Sequence, residues 1–198
     1  MADVAALAYI PPVWGRWSRQ DVRVEQNSAR VTAEKGEFLV LAKVPRRRGK
    51  HRWQITVQNK TSGKPMSIGI GVDLQDTELN RGAQDTRFQD RVWHYSNVDG
   101  SIRNGARQIQ ATTKKCYSSG DVIDVFFDVE SAEITFAHNG SMLEGTILRN
   151  VVHSSFVDKQ NVARENGEEV EEGLGRFYLL VSLSAGDQVK MEDSPSEL

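Results

Sequence analysis

The sequence predicts an all-β fold, a sandwich of two antiparallel β-sheets. About a dozen short segments rich in valine, isoleucine and aromatic residues alternate between apolar and polar positions, with turn residues between them. No segment shows the sustained 3.6-residue periodicity of an amphipathic helix. The length of 198 residues suits a single domain, because β-sandwiches of this size commonly enclose one core.

The amino-terminal part of the chain contains a predicted tail and several short strands. Residues 1–12 end in two prolines and are predicted to be a tail. Residues 22–24 and 30–32 form a predicted hairpin around a polar turn, and residues 38–41 form a short buried strand. Apolar and polar residues alternate cleanly from Trp53 onwards, so we expect the Trp53 side chain to be buried in the core.

The next segments combine two predicted strands with a long connection. Residues 67–72 form a strand, in which Gly69 and Gly71 are expected where another element packs closely. Residues 73–91 are polar, charged and irregular, and a connection of this length is often functional. Residues 92–96 form the following strand, which a turn joins to a short partner segment.

The stretch from residue 120 to 140 predicts the central hairpin of one sheet. Its first strand has apolar residues on both faces, which is typical of an interior strand, and Phe127 and Phe136 are expected to be buried. The pair Asn139-Gly140 is a strong turn signal. Asp124 lies within this interior strand, so we expect it to pair with an arginine or lysine, because an unpaired buried charge is costly.

The carboxy-terminal part completes the predicted domain. An acidic stretch at residues 157–175 is interpreted as an insertion, and residues 177–183 form a last interior strand. Residues 192–198 are predicted to be a disordered acidic tail. The domain itself is therefore expected to span residues 13–191.

Several of these segments, taken together and in order, resemble the SPRY domain family. The resemblance covers roughly residues 20–190 and implies a concanavalin-like jelly-roll topology. It also implies a non-catalytic module that binds a protein or peptide. The segments that carry it are residues 49–55 (GKHRWQI), 67–72 (SIGIGV), 93–96 (WHYS) with Asp99-Gly100, 120–123 (GDVI), Asp128, 134–136 (ITF), Asn139-Gly140, and 177–178 with 181–183.

Composition narrows the class of partner and the compartment. The chain has 25 lysines and arginines against 27 aspartates and glutamates, a formal charge of −2, so its overall charge indicates neither nucleic acid nor membrane binding. No apolar run approaches the length of a membrane span. The single cysteine, Cys116, excludes an internal disulfide and favours a reducing compartment, so we expect a cytoplasmic or nuclear protein.

The sequence contains no motif that indicates catalysis, a cofactor or a metal. The four histidines are scattered and have no zinc-ligand spacing. The glycines at 69 and 71 are only half of a dinucleotide-binding fingerprint, and no nucleophile elbow or phosphate-binding loop is present. We therefore expect a protein that is not an enzyme and has no cofactor or metal site.

The basic run at residues 43–52, with six basic residues and no acidic one, is the most distinctive functional feature. A solvated loop is as good an interpretation of it as a binding loop. The family resemblance implies a ligand surface that loops 45–49 and 73–91 form together on a rigid scaffold. The residues expected to contact a partner are Arg46, Arg47, Arg48, Lys50, Asp76, Arg81 and Phe88.

These observations favour a protein-recognition module that acts as an adaptor or as a subunit of a larger complex. The alternative is an RNA-binding or chromatin protein whose basic run contacts phosphates. A further hypothesis is that the glutamates at residues 165–172 dock onto the basic run and mask it within the same molecule.

Overall fold

The computed structural model confirms the predicted all-β sandwich. No helix in the described part of the chain is long and apolar enough to span a membrane. The residues that the structure describes are 13–61, 63–110, 115–143, 148 and 176–193. The strands are β1 (Trp14–Arg16), β2 (Val22–Glu25), β3 (Ser28–Val31), β4 (Glu37–Ala42), β5 (Lys50–Asn59), β6 (Ser67–Val72), β7 (Val92–Ser96), β8 (Ile102–Asn104), β9 (Arg107–Gln110), β10 (Val122–Asp128), β11 (Glu133–His138), β12 (Ser141–Met142), β13 (Phe177–Ser184) and β14 (Gln188–Asp193).

Two antiparallel sheets form the sandwich, and each has seven strands in the described part of the chain. Sheet A has the strand order β1-β4-β13-β6-β7-β8-β9, and sheet B has the order β12-β11-β10-β5-β14-β3-β2. In sheet A, β13 pairs with β4 and β6, and in sheet B, β10 pairs with β5 and β11. Both are interior strands, as the apolar residues on their two faces predicted.

The main hydrophobic core lies between the two sheets. Trp53, Phe127 and Phe136 expose only 4%, 1% and 0% of their surface, so their predicted burial is confirmed. The Phe127 ring packs against the Phe177 ring, with the ring centroids 4.9 Å apart. Because Phe127 belongs to β10 and Phe177 to β13, this aromatic contact joins the interior strands of the two sheets.

The two glycines of β6 allow a close approach, as the sequence predicted. A Cβ atom on Gly69 would lie 2.0 Å from the carbonyl oxygen of Trp93 in the neighbouring strand. A Cβ atom on Gly71 would lie 2.6 Å from a methyl group of Leu180 and 2.7 Å from one of Leu74. Any side chain at either position would therefore displace backbone or core side chains.

Residues 73–91, which the sequence predicted as an irregular loop, fold over the outer face of sheet A. We call them the covering segment. They include two 3-10 helices, Asp76–Glu78 and Thr86–Phe88. The Leu39 amide donates to the Leu79 carbonyl at 2.8 Å, which ties the segment to β4. The contact buries a second hydrophobic cluster that consists of Leu39, Leu41, Leu74, Leu79, Ala83, Phe88, Val92, Tyr178 and Leu180.

Phe88, which the sequence predicted to contact a partner, is buried instead of lying on the surface. Its side chain is 0% exposed and lies inside this second cluster. The outer face of sheet A carries Leu39, Leu41 and Leu180, which would otherwise be exposed to water. A phenylalanine in the segment that crosses this face is more stable packed against these leucines than exposed for a ligand.

The last strand, β14, was not predicted from the sequence. It lies between β5 and β3 in sheet B, and Val189 and Met191 point into the core with 0% exposure. Two apolar residues among polar ones are too few to predict a strand from alternation. The sequence analysis therefore ended the domain at residue 191. Because β14 extends to Asp193, that boundary falls inside a strand.

Asp124 is buried on the outer face of sheet B, and its predicted pairing with a basic residue is confirmed. Only 2% of its side chain is exposed. Its Oδ1 accepts hydrogen bonds from Arg52 Nε at 3.1 Å and Nη2 at 3.0 Å, and from Gln54 Nε2 at 3.2 Å. The Arg52 guanidinium also lies over the Phe126 ring, 5.3 Å from its centroid.

A buried histidine makes the stability of the fold depend on pH. His94 in β7 is 0% exposed, and its Nε2 lies 3.0 Å from the Gly105 carbonyl oxygen. Burial lowers the pKa of His94 to about 4, because the charged ring would lose its hydration.

We expect the free energy of unfolding to fall by about 2 kcal/mol between pH 7 and pH 5 through His94 alone. In this range the unfolded chain binds a proton at this histidine and the folded chain does not, so stability decreases as the pH falls. Urea denaturation of the wild type and of His94→Gln at both pH values measures this contribution. Equal pH dependence in the two proteins, or an NMR titration of the His94 ring near its ordinary pKa, would contradict it.

Candidate functional site

The residues that the sequence predicted to bind a partner lie near both ends of β13. Near its start, the Arg46 amide donates to the Phe177 carbonyl at 2.7 Å. Near its end, the Ala83 amide donates to the Ser182 hydroxyl at 3.0 Å. Ser182 lies five positions after Phe177 in an extended strand, which corresponds to about 17 Å.

The two loops predicted to form one ligand surface, residues 45–49 and 73–91, therefore lie close together only where the second loop begins. The Asp73 amide donates to the Arg176 carbonyl at 3.3 Å, so the covering segment begins close to the basic run. Arg81 lies towards the opposite end, where its Nη1 is 3.4 Å from Asp85 Oδ2. A ligand of ordinary peptide size would contact one end of the sandwich or the other.

The basic end, which we define as residues 46–50, is anchored to the turn between β10 and β11. The Gly49 amide donates to Glu130 Oε1 at 2.6 Å. Lys50 Nζ lies 3.8 Å from Asp128 Oδ2. Two carboxylates that are distant in sequence therefore offset part of the positive charge of the basic run.

The arginines of the basic run differ in their surroundings. Arg46 is half-buried, burial lowers the pKa of its guanidinium, and its Nε has no hydrogen-bond partner among the described residues. Arg47 is exposed. Arg48 has an interaction partner, and its carbonyl lies 2.6 Å from His51 Nε2. Arg52, the last basic residue of the run, is held in the buried ion pair of sheet B.

Asp76 lies beside the basic end, in the wall of a cavity of about 460 Å³. Arg16 Nε donates to Asp76 Oδ1 at 2.8 Å, and Arg16 Nη2 donates to the Leu74 carbonyl at 2.6 Å. The Arg16 guanidinium also lies over the Tyr178 ring. Asp76 keeps 80% of its side chain exposed, so its carboxylate is accessible to a partner even though it is paired.

A groove of about 610 Å³ opens at the other end of the sandwich. Four parts of the chain form it: the start of β4 with the two residues before it, the turn before β6, the covering segment, and the last residue of β13. Its lining consists of Lys35, Gly36, Glu37, Lys64, Pro65, Asn80, Gly82, Gln84, Asp85 and Ser184.

Hydrogen bonds and strand pairing hold the groove together. Glu37 begins β4 and pairs in register with Ser184, the last residue of β13. The Ser184 hydroxyl donates to the Pro65 carbonyl at 2.7 Å, which fixes the turn before β6. Gln84 Nε2 donates to the Ser96 hydroxyl at 3.3 Å, which ties the covering segment to β7. The groove walls are therefore positioned by the sandwich rather than by mobile loops.

Glu37 provides a half-buried carboxylate in this groove. A Cβ atom on Gly82 would lie 1.6 Å from Glu37 Oε2, so the carboxylate rests directly against the glycine backbone. Burial, and to a smaller extent the negative charge of Asp187, raises the pKa of Glu37 above its ordinary value. No lysine, arginine or histidine among the described residues lies within 4.0 Å of its oxygens.

The second carboxylate of the groove, Asp85, is already paired. Arg87 Nη2 lies 2.9 Å and Arg81 Nη1 lies 3.4 Å from Asp85 Oδ2. Asp85 Oδ1 accepts a hydrogen bond from the Arg87 amide at 2.9 Å, so the Asp85 side chain caps the short helix that follows. Asp85 therefore has a structural role, and Glu37 is the carboxylate that remains without a described cation.

The groove was not found by sequence reasoning, which assigned no role to Lys35, Glu37 or Lys64. The feature that could have indicated it is a carboxylate directly after Lys35-Gly36, at the start of a strand predicted to be buried.

In the described residues, no group of three or more histidine, cysteine, aspartate or glutamate side chains is placed to hold a metal ion. The acidic residues 165–172, predicted to dock onto the basic run, lie outside the described residues.

Comparison with known proteins identifies related folds. A family model for the SPRY domain matches residues 50–159, more than half of the chain. The SPRY domain of human HERC1 is 17% identical, with 91% of this chain and 99% of that chain covered and a TM-score of 0.60. A human SPRY domain is 15% identical, with coverages of 87% and 94% and a TM-score of 0.58.

A further solved structure has a similar fold. The PSpry domain of TRIM65 is 12% identical, with 94% of this chain and 92% of that chain covered and a TM-score of 0.59. At such low identities, similarity to these structures concerns the fold alone. No curated protein matches the chain significantly.

Proposed function

This chain belongs to the SPRY domain family, whose members generally act as protein–protein interaction modules, and we propose that it binds a protein or peptide ligand in the groove between Glu37, Lys64 and Asn80. The groove, rather than the basic end, is the main ligand site of this proposal. Its volume of about 610 Å³ is within the range of ligand sites, and the groove is open to solvent along much of its surface.

The observation that carries this proposal is the Glu37 carboxylate, which is half-buried in the groove without a described cation. A rigid concave surface with fixed polar groups binds a ligand without a large loss of conformational entropy. The lining combines side chains that accept and side chains that donate hydrogen bonds, which suits the mixed polar surface of a peptide.

The basic end supports an adaptor role as a second contact surface. Arg46, Arg47, Arg48, Lys50 and Asp76 stay predicted partner contacts there, and Arg81 stays a predicted contact near the groove. Because the two surfaces lie near opposite ends of β13, one chain would be able to hold two partners at once. This arrangement is the proposed basis for an adaptor or for a subunit of a larger complex.

We propose a non-catalytic role, since family members are typically non-catalytic interaction modules. The presence of one cysteine, Cys116, supports a reducing compartment, cytoplasm or nucleus, as the place of action. The nucleic-acid alternative is less well supported, because Lys50 and Arg52 are paired with carboxylates and Arg46 is half-buried. A phosphate-binding loop requires several exposed cations that point outwards.

We expect Asn80→Trp to weaken ligand binding at least about tenfold, or 1.4 kcal/mol. Asn80 is exposed at the groove, so the indole would occupy the ligand volume without disturbing the core. The probes are peptides selected from a random displayed library against the wild-type chain, and their dissociation constants are measured by fluorescence anisotropy.

Two control variants make this experiment specific. Gln108→Trp places the same side chain at an exposed position of β9, and Arg47→Ala removes an exposed cation at the basic end. The first variant is expected to leave peptide affinity unchanged, and the second is expected to leave the affinity of peptides that bind in the groove unchanged. Peptides that bind Asn80→Trp as tightly as the wild type, or that lose affinity only with Arg47→Ala, would show that the groove is not the main site.

A further inference from the structure

We propose that the groove selects a ligand with an arginine or lysine side chain, and that Glu37 is the specificity-determining residue that binds this cation. This inference rests on the proposed function of the groove, because it assigns the chemistry of the ligand at that site. The proposed contact is a charge-assisted hydrogen bond between Glu37 and the basic group of the ligand.

The position of Glu37 is fixed before any ligand binds. Its backbone belongs to β4 and pairs with Ser184 of β13, an interior strand of sheet A. Its Oε2 lies so close to Gly82 that a Cβ atom there would be 1.6 Å away. Strand pairing on one side and the glycine backbone on the other restrict the rotamers of Glu37. A preorganised acceptor loses little entropy when a donor arrives.

The other charged groups around the groove leave Glu37 uncompensated. Lys35 and Lys64 line the groove, but neither ammonium lies within 4.0 Å of Glu37 among the described contacts. Lys60 Nζ donates to the carbonyls of Thr61 and Lys64, and its charge acts on Asp187 rather than on Glu37. Glu37 therefore has no ion-pair partner among the described residues, and the cation of a ligand would provide one.

A second carboxylate, that of Asp187, acts on Glu37 through its negative charge. Asp187 is 0% exposed, and its oxygens accept hydrogen bonds from the Thr61 amide at 2.6 Å and from the Ser184 amide at 2.9 Å. These amides satisfy its hydrogen bonds but carry no net charge. Burial of Glu37, and to a smaller extent the charge of Asp187, raises the pKa of Glu37, which means that the charged form of Glu37 is disfavoured until a cation pairs with it.

A basic side chain satisfies this site better than a neutral donor does. A neutral amide would make one hydrogen bond and leave the negative charge in place. A guanidinium makes two parallel hydrogen bonds with a carboxylate and neutralises the charge, which is worth more in a partly desolvated groove. Lys35 and Lys64 at the rim are then expected to disfavour ligands with further positive charges next to the selected one.

The proposal has a signature in the ligand-free protein. Glu37→Gln removes the disfavoured charge, so its melting temperature is expected to exceed that of the wild type at neutral pH. The same substitution is expected to weaken binding, because the acceptor loses its charge. Higher stability together with lower affinity is typical of a binding residue and is not expected of a structural one.

The test compares peptides selected from one random displayed library against the wild-type chain and against Glu37→Gln. We expect an arginine or lysine at a common position in the peptides selected on the wild type, and no such preference on Glu37→Gln. A synthetic peptide with the selected sequence should bind Glu37→Gln at least about tenfold more weakly than the wild type. Replacing its basic residue by norleucine should remove that difference.

Glu34→Gln is the matched control, because Glu34 is exposed and lies three residues from Glu37 without lining the groove. It removes the same charge and is expected to leave affinity unchanged. The inference is overturned if selected peptides lack a basic preference and bind Glu37→Gln normally. If Asn80→Trp still abolishes their binding, only the ligand chemistry is wrong. If Asn80→Trp has no effect, the proposed groove function is wrong as well.

Discussion

Phe88→Ala is expected to lower the free energy of unfolding by about 3–5 kcal/mol. Phe88 is 0% exposed and packs in the cluster between the covering segment and the outer face of sheet A. Its removal would leave a cavity next to Leu39 and Leu180 that the interior strands of the sheet cannot fill. Chemical denaturation monitored by tryptophan fluorescence measures the loss.

The matched control is Ile109→Ala. Ile109 is also an apolar residue of this sheet, but it is 45% exposed on β9, so its truncation should change stability by less than about 0.5 kcal/mol. At temperatures where Phe88→Ala stays folded, its peptide affinity should be close to that of the wild type. A stable Phe88→Ala variant with lost binding would restore the interpretation of Phe88 as a partner contact.

Arg52→Ala is expected to destabilise the fold by about 3 kcal/mol, because it leaves the Asp124 carboxylate buried without a cation. Only 2% of the Asp124 side chain is exposed, and Arg52 supplies two of its three described hydrogen bonds. The value is at the lower end of the range for broken buried ion pairs. The reason is that Arg52 is itself 35% exposed, so water can replace part of the interaction.

Two controls separate this effect from the loss of a positive charge. Arg47→Ala removes an exposed arginine of the same basic run and should change stability by less than about 0.5 kcal/mol. The double variant Arg52→Ala/Asp124→Asn removes both charges and should recover part of the loss. If the single and double variants are equally unstable, packing of Arg52 on Phe126 is the dominant contribution instead.

The distance between the two ends of the sandwich determines whether the protein would be able to bind two partners at the same time. The proposed ligand groove and the basic end near the start of β13 are separated by most of the length of an interior strand. Since both are attached to this rigid sheet, binding at one end need not deform the other. Simultaneous binding of two partners is therefore compatible with the fold, and it is what an adaptor requires.

The alternation of apolar residues determined the fold. A period of two residues places one side of each strand in the core, so the sandwich and the burial of Trp53, Phe127 and Phe136 could be predicted without coordinates. The same logic predicted a basic partner for Asp124, because the energetic penalty of a buried charge applies wherever the partner lies in sequence.

Tertiary structure decided where the polar and irregular segments lie. Residues 73–91 have no period that indicates a face, and only the leucines of β4 and β13 give Phe88 its buried place. The order of charged residues in the sequence likewise could not show that Lys50 and Arg52 are paired, because their carboxylate partners are distant in sequence. For the same reason it could not show that Glu37 has no ion-pair partner among the described residues. Local periodicity reports the burial of strands, whereas a binding groove depends on which distant connections meet in space.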